Sequence, residues 1–123
     1  MRFSPKKSLG QNFLKDNKII NLIIQIGDIT SNNKILEVGP GTGALTQKIL
    51  ENKPKSFTVI EKDVVLAKNL LQKFGDKLNV LNHDMMKVSY DKYYDKNLII
   101  FGNLPYNIST QILAHWIKNY DLN

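Results

Sequence analysis

The chain has 123 residues, 42% hydrophobic and 23% charged, which is a globular composition long enough for one domain with a real core and excludes a wholly disordered chain. It has no cysteine, so disulfides and thiolate metal sites are excluded, in keeping with a cytoplasmic protein, and no run of 18 uncharged apolar residues that would suggest a membrane span. Seventeen basic residues against 11 acidic ones leave a net charge of +6 and a pI near 9.5.

The basic residues concentrate at the start. Residues 1–20 hold Arg2, Lys6, Lys7, Lys15 and Lys18 against Asp16 alone, so +4 of the +6 sits in about one sixth of the chain. The general abundance of Asn, Lys and Ile accounts for many of the lysines, but this clustering suits a polyanion. No long apolar stretch follows MRFSPKKSLGQ, so a signal peptide is not expected. The segment reads as an extended basic arm leading to a helix predicted over 17–26, with Asp16 as its expected cap, Ile19, Leu22, Ile23 and Ile26 as its expected buried stripe, and Gly27 as its expected stop.

From residue 34 short apolar runs alternate with helical patterns. Strands are predicted over 34–38, 56–60, 78–81 and 97–101, and helices over 43–52, 64–74 (capped by Asp63) and 108–119. Residues 85–96 form a polar connection with three tyrosines. This alternation predicts an α/β fold, a Rossmann-like parallel sheet buried on both faces. Right-handed crossovers give the strand order 3-2-1-4. A basic arm and helix (1–27) precedes a nucleotide-binding domain (28–123). The sheet is incomplete, because the fourth strand normally has a further neighbour, and the chain is expected to be the N-terminal portion of a longer protein.

Ligands of such sheets bind beyond the carboxyl ends of the strands. There the first strand runs into Gly39-Pro40-Gly41-Thr42-Gly43, a loop that lets a ligand approach the backbone. Glu61 ends the second strand, 22 residues after Gly39, and can accept both hydroxyls of a ribose; alternatively it is a solvated acid beside Lys62. Asp84 follows the third strand and can accept from an adenine amino group, or simply cap a turn. Together these residues suit an adenosine cofactor. The loop also satisfies the loose dinucleotide pattern, so NAD is an alternative. Glu37, just before the loop, would repel a pyrophosphate but suits the ammonium and sulfonium of S-adenosylmethionine.

After the fourth strand comes Asn103-Leu104-Pro105-Tyr106. The exocyclic nitrogen of adenine is a poor nucleophile because its lone pair is delocalised into the ring. The Asn103 side-chain oxygen and a backbone carbonyl beside Pro105 can accept its two N–H groups and aim the lone pair, while Tyr106 stacks on the base. No metal is required. The competing interpretation is a proline turn that caps the next helix through Asn107 or Ser109.

The stretches KKSLGQNFL (6–14), LEVGPGTGALT (36–46), VIEKD (59–63), HDMM (83–86) and FGNLPYNIST (101–110) resemble the ribosomal RNA adenine N6,N6-dimethyltransferase family, which includes the bacterial small-subunit enzyme. The resemblance implies a class I methyltransferase sheet and S-adenosylmethionine-dependent dimethylation of two adjacent adenosines in 16S rRNA, within a 30S or pre-30S particle. It implies cofactor contacts for Asn12, Leu14, Gly39, Gly41, Glu61, Asp84 and Asn103, an acceptor site at Asn103, Leu104, Pro105 and Tyr106, and RNA contacts for Arg2, Lys6 and Lys7. It also implies a monomer in the cytoplasm, away from membranes. His83 stands where the family usually has glycine, and the family's C-terminal helical domain is expected to lie beyond these 123 residues. Alternatives are a macrolide-resistance type 23S rRNA methyltransferase and a non-catalytic RNA-binding assembly or transcription factor.

Overall fold

The computed structural model describes residues 16–102. Its helices are α1 (Asn17–Gly27), α2 (Ala44–Glu51) and α3 (Val64–Phe74), and its strands β1 (Lys34–Val38), β2 (Ser56–Ile60), β3 (Asn79–Leu81) and β4 (Leu98–Gly102). The strands form one parallel sheet in the order β3-β2-β1-β4. Fold class and strand order match the expectation. The helix predicted over 108–119 lies outside the described residues. No helix among the described residues is long and apolar enough to cross a membrane.

Local chemistry starts and stops the helices. The Asp16 carboxylate accepts from the backbone N–H groups of Lys18 (2.8 Å) and Ile19 (3.4 Å), and Asp63 accepts from Leu66 N–H (3.0 Å). Helix α1 differs from expectation in two ways. It runs through Gly27 and stops at Asp28, which takes the left-handed conformation at φ 51°. Its inward line is Ile20, Ile23 and Ile24, and Leu22 and Ile26 are 50% and 75% exposed. Four isoleucines at 19, 20, 23 and 24 permit either of two overlapping stripes. Close packing accompanies the one adopted: a Cβ on Gly27 would lie 2.8 Å from the ring of Phe101. Helix α2 begins one residue later than expected, with Gly43 as its cap in the left-handed region.

Side chains alternate along the strands, as the pleat requires. Ile35, Phe57, Val59, Val80, Ile99 and Phe101 pack in one cluster with Leu45, Ile49, Leu70 and Phe74 from the helices, and Ile20 joins them. Leu36, Val38, Ile60, Leu81 and Leu98 face the other way and pack against the connection that follows β3, where Tyr90 is buried. The Tyr90 hydroxyl donates to the Met85 carbonyl, so this buried ring has a polar partner. Short 3₁₀ turns at Met85–Lys87 and Asp91–Tyr93 give that polar connection its shape.

Gly43 holds two constraints at once. Its φ is +91°, and a Cβ there would meet Leu70 Cδ2 at 3.0 Å and Phe74 Cε2 at 3.1 Å. Gly41 has φ +59° and nothing within 4 Å of its would-be Cβ. Gly43→Ala should therefore destabilise the full chain by roughly 1–3 kcal/mol in urea unfolding. Gly41→Ala should cost less, since only its φ resists, and equal losses would contradict this packing account.

Candidate cofactor site at the strand tips

The ladder register aligns the carboxyl ends of the strands. Val38 pairs with Ile60 and with Gly102, and Ile60 pairs with Leu81. Hydrogen bonds carry the pairing past the strand ends: Gly39 N–H donates to the Ile60 carbonyl and Glu61 N–H to the Leu81 carbonyl, both at 2.9 Å. Sequence-distant residues thus come together along one edge.

The glycine loop turns immediately beyond β1. Gly39, Gly41 and Gly43 all have positive φ, at 70°, 59° and 91°, which side chains rarely adopt. The loop closes on itself through Gly43 N–H to the Pro40 carbonyl at 3.0 Å. A Cβ on Gly41 would meet nothing within 4 Å, so the loop is open on that side.

Glu61 is 8% exposed, so it is not the solvated strand-end acid of the alternative interpretation. One carboxylate oxygen accepts Gly41 N–H at 3.1 Å and the other accepts Asp63 N–H at 3.0 Å. An ionised carboxylate has about four acceptor positions, so these bonds leave capacity for two hydroxyl donors. Asp84 stands past the end of the adjacent strand. Its Oδ1 accepts Met86 N–H at 2.9 Å, which is the capping role weighed from sequence. Its Oδ2 lies 4.0 Å from Lys62 Nζ on the neighbouring tip. Asp84 and His83 line the same open groove of about 260 Å³, with Leu81, Lys87 and Ser89.

Glu37 is the more deeply buried acid of the site, 2% exposed against 8% for Glu61. It accepts a 2.6 Å hydrogen bond from the Thr46 hydroxyl in the first turn of α2. Burial pushes its pKa up from 4.5 to about 7, and the Glu61 charge adds to the rise while the Thr46 hydrogen bond opposes it. The group therefore titrates near neutrality, and a cation arriving at the loop would favour its ionised form. Burial likewise raises Tyr90 to about 12, with Asp84 and Tyr93 contributing.

Thr46 and Asn82 were not identified from sequence. Thr46 had only a weak signal, a hydroxyl in the first turn of the helix that follows the loop. Asn82 donates from one amide nitrogen to the carbonyls of Glu61 (2.9 Å) and Lys62 (3.0 Å), a link between tips that no spacing rule announces. Among the expected site residues, Gly39, Gly41, Glu61 and Asp84 lie along the tips of β1, β2 and β3. Arg2, Lys6, Lys7, Asn12, Leu14, Asn103, Leu104, Pro105 and Tyr106 lie outside the described residues. Asn103 follows directly on Gly102, the partner of Val38.

A family model described as "Ribosomal RNA adenine dimethylase" matches residues 2–122. The chain is 52% identical over 118 residues to "Ribosomal RNA small subunit methyltransferase A" of Pelagibacter ubique, covering 96% of this chain and 45% of that protein. The chain thus spans just under half the length of this curated relative. Among solved structures, a dimethyladenosine transferase from Plasmodium falciparum matches with TM-score 0.70 and 28% identity, over 85% of this chain and 38% of that one. The 23S rRNA methyltransferase ErmE matches with TM-score 0.69 and 27% identity, over 80% and 40%.

The Glu37 geometry has a measurable consequence. Its folded pKa of about 7 exceeds the ordinary 4.5, so between those values the folded chain keeps a proton that the unfolded chain has released. Stability contributed by this group is full below pH 4.5 and is lost as pH rises to about 7, by up to about 3 kcal/mol. Glu37→Gln keeps an acceptor for Thr46 and removes the titration. Urea unfolding from pH 4.5 to 7.5 should show the variant gaining on the wild type as pH rises; parallel curves would contradict this.

Proposed function

The chain belongs to the ribosomal RNA adenine dimethylase family, and from that premise we propose that it binds S-adenosylmethionine at the strand tips and transfers methyl groups to adenine N6 in ribosomal RNA. The observation that carries this reading is the pair of acids on adjacent tips beside an open glycine loop. Glu61 keeps two acceptor positions beyond its backbone bonds, enough for a ribose diol. Asp84 lies on the neighbouring tip, where an adenine amino group can reach it. Gly41 leaves space for the ligand, and buried Glu37 complements a cationic cofactor at the loop. Asn12 and Leu14 complete the set of cofactor contacts that the family resemblance implies.

When bound, the cofactor would supply an electrophilic methyl group on a sulfonium, whose sulfur would leave as a neutral thioether while the amine releases one proton after each transfer. The chain's own residues prepare the acceptor. Asn103 accepts one N–H of the target amine and a backbone carbonyl beside Pro105 accepts the other, which favours a pyramidal nitrogen. Leu104 and Pro105 belong to the same acceptor motif, and Tyr106 stacks on the base, worth roughly 1–3 kcal/mol. The target adenosine must leave its stack, at a cost of a few kcal/mol. Arg2, Lys6 and Lys7 hold phosphates, which makes RNA binding salt-dependent.

The proposed substrate is a pair of adjacent adenosines in small-subunit rRNA within a 30S or pre-30S particle, modified by a cytoplasmic monomer. The name of the Pelagibacter relative favours the small subunit, and the ErmE match keeps the large subunit as the second reading. Methylation assays on unmodified 30S and 50S particles separate the two. The full chain should label 30S, with Asn103→Ala lowering transfer at least 100-fold while melting temperature stays within about 2 °C. Label on 50S alone, or wild-type rates for Asn103→Ala, would overturn the proposal.

A further inference from the structure

We propose that Asn82 is a positioning residue that sets the ribose-binding carboxylate of Glu61 by gripping the backbone at the tip of β2. Its side-chain amide nitrogen lies within hydrogen-bond distance of two consecutive carbonyls, Glu61 at 2.9 Å and Lys62 at 3.0 Å. The residue before Asn82 already accepts Glu61 N–H, through the Leu81 carbonyl at 2.9 Å. β3 ends at Leu81, so the Asn82 amide supplies a donor to β2 where the regular strand has ended.

Glu61 is thereby fixed on both sides of its Cα, at its N–H by Leu81 and at its carbonyl by Asn82. Its side chain is fixed separately, by Gly41 N–H and Asp63 N–H. A rigid carboxylate recognises two hydroxyls better than a mobile one, because little conformational freedom is lost on binding. Two residues after Asn82 comes Asp84, so the same clamp ties the spacing of the two acids to one side chain. Asn82 also acts where the exposed Lys62 lies 4.0 Å from the half-buried Asp84, a long pair too weak to set that spacing alone. Asparagine suits this role because it offers two hydrogens from one nitrogen.

The inference rests on reading Glu61 as a ribose ligand, and the test separates the two. Binding of S-adenosylhomocysteine and of its 2′-deoxyribose analogue is measured by calorimetry on the full chain, for wild type, Asn82→Ala, Asn82→Gln and Asn82→Asp. Wild type should prefer the ribose form by about 10-fold or more, as expected for a hydrogen bond to a charged group. Asn82→Ala should reduce that preference at least fivefold at temperatures well below its melting point, and Asn82→Gln, which retains both hydrogens, should recover part of it. If Asn82→Ala keeps the wild-type preference, Asn82 only caps the strand end and the proposal fails. If Asn82→Ala is too unstable to assay, Asn82→Asp decides: it keeps the shape of the side chain and has no N–H donors, so it should lose at least as much of the preference, and a full wild-type value overturns the proposal. A wild-type preference near one removes the ribose reading of Glu61 itself, and this inference with it.

Discussion

The carboxylate of Glu61 ties the glycine loop to the second strand. Gly41 N–H would otherwise be a loop donor without a protein partner beside open space, and Asp63 N–H opens the turn into α3. By accepting both, one side chain fixes the loop after β1 relative to the tip of β2. The cost of burying the charge is offset by charge-assisted hydrogen bonds. Without it, positive-φ glycines would give a loop with many conformations. With it, the loop is held in one arrangement, and the same carboxylate keeps acceptor capacity beyond its two backbone bonds.

The sheet makes that contact possible. Parallel pairing in the order β3-β2-β1-β4 brings Val38, Ile60, Leu81 and Gly102 to one edge, so residues far apart in the chain lie within side-chain reach. Close packing then sets where the helices lie. Gly43 allows α2 to approach Leu70 and Phe74, and Gly27 allows α1 to approach Phe101. Thr46, in the first turn of α2, reaches Glu37. The loop is therefore held from three directions: strand, helix and acid.

Much of this architecture was legible in sequence because short buried strands and capped amphipathic helices leave strong local signals. The bounds of β2 and α3 agree with expectation, since Asp63 and Gly75 punctuate α3 at either end. The face of α1 was not legible: four isoleucines offered two stripes, and a contact with Phe101, more than 70 residues away, accompanies the one adopted. The acids Glu61 and Asp84 were legible from their place at strand ends. The Glu61–Gly41 bond, the Asn82 clamp and the raised pKa of Glu37 were not, because each depends on a partner brought in by the tertiary fold.

The most direct test is a crystal structure of the full chain with S-adenosylhomocysteine. The ribose hydroxyls should lie on Glu61 and the adenine amino group within reach of Asp84, with the Gly41–Glu61 bond retained. An adenosyl group seated elsewhere, or bound at these tips with Glu61 turned away from the ribose, would contradict it.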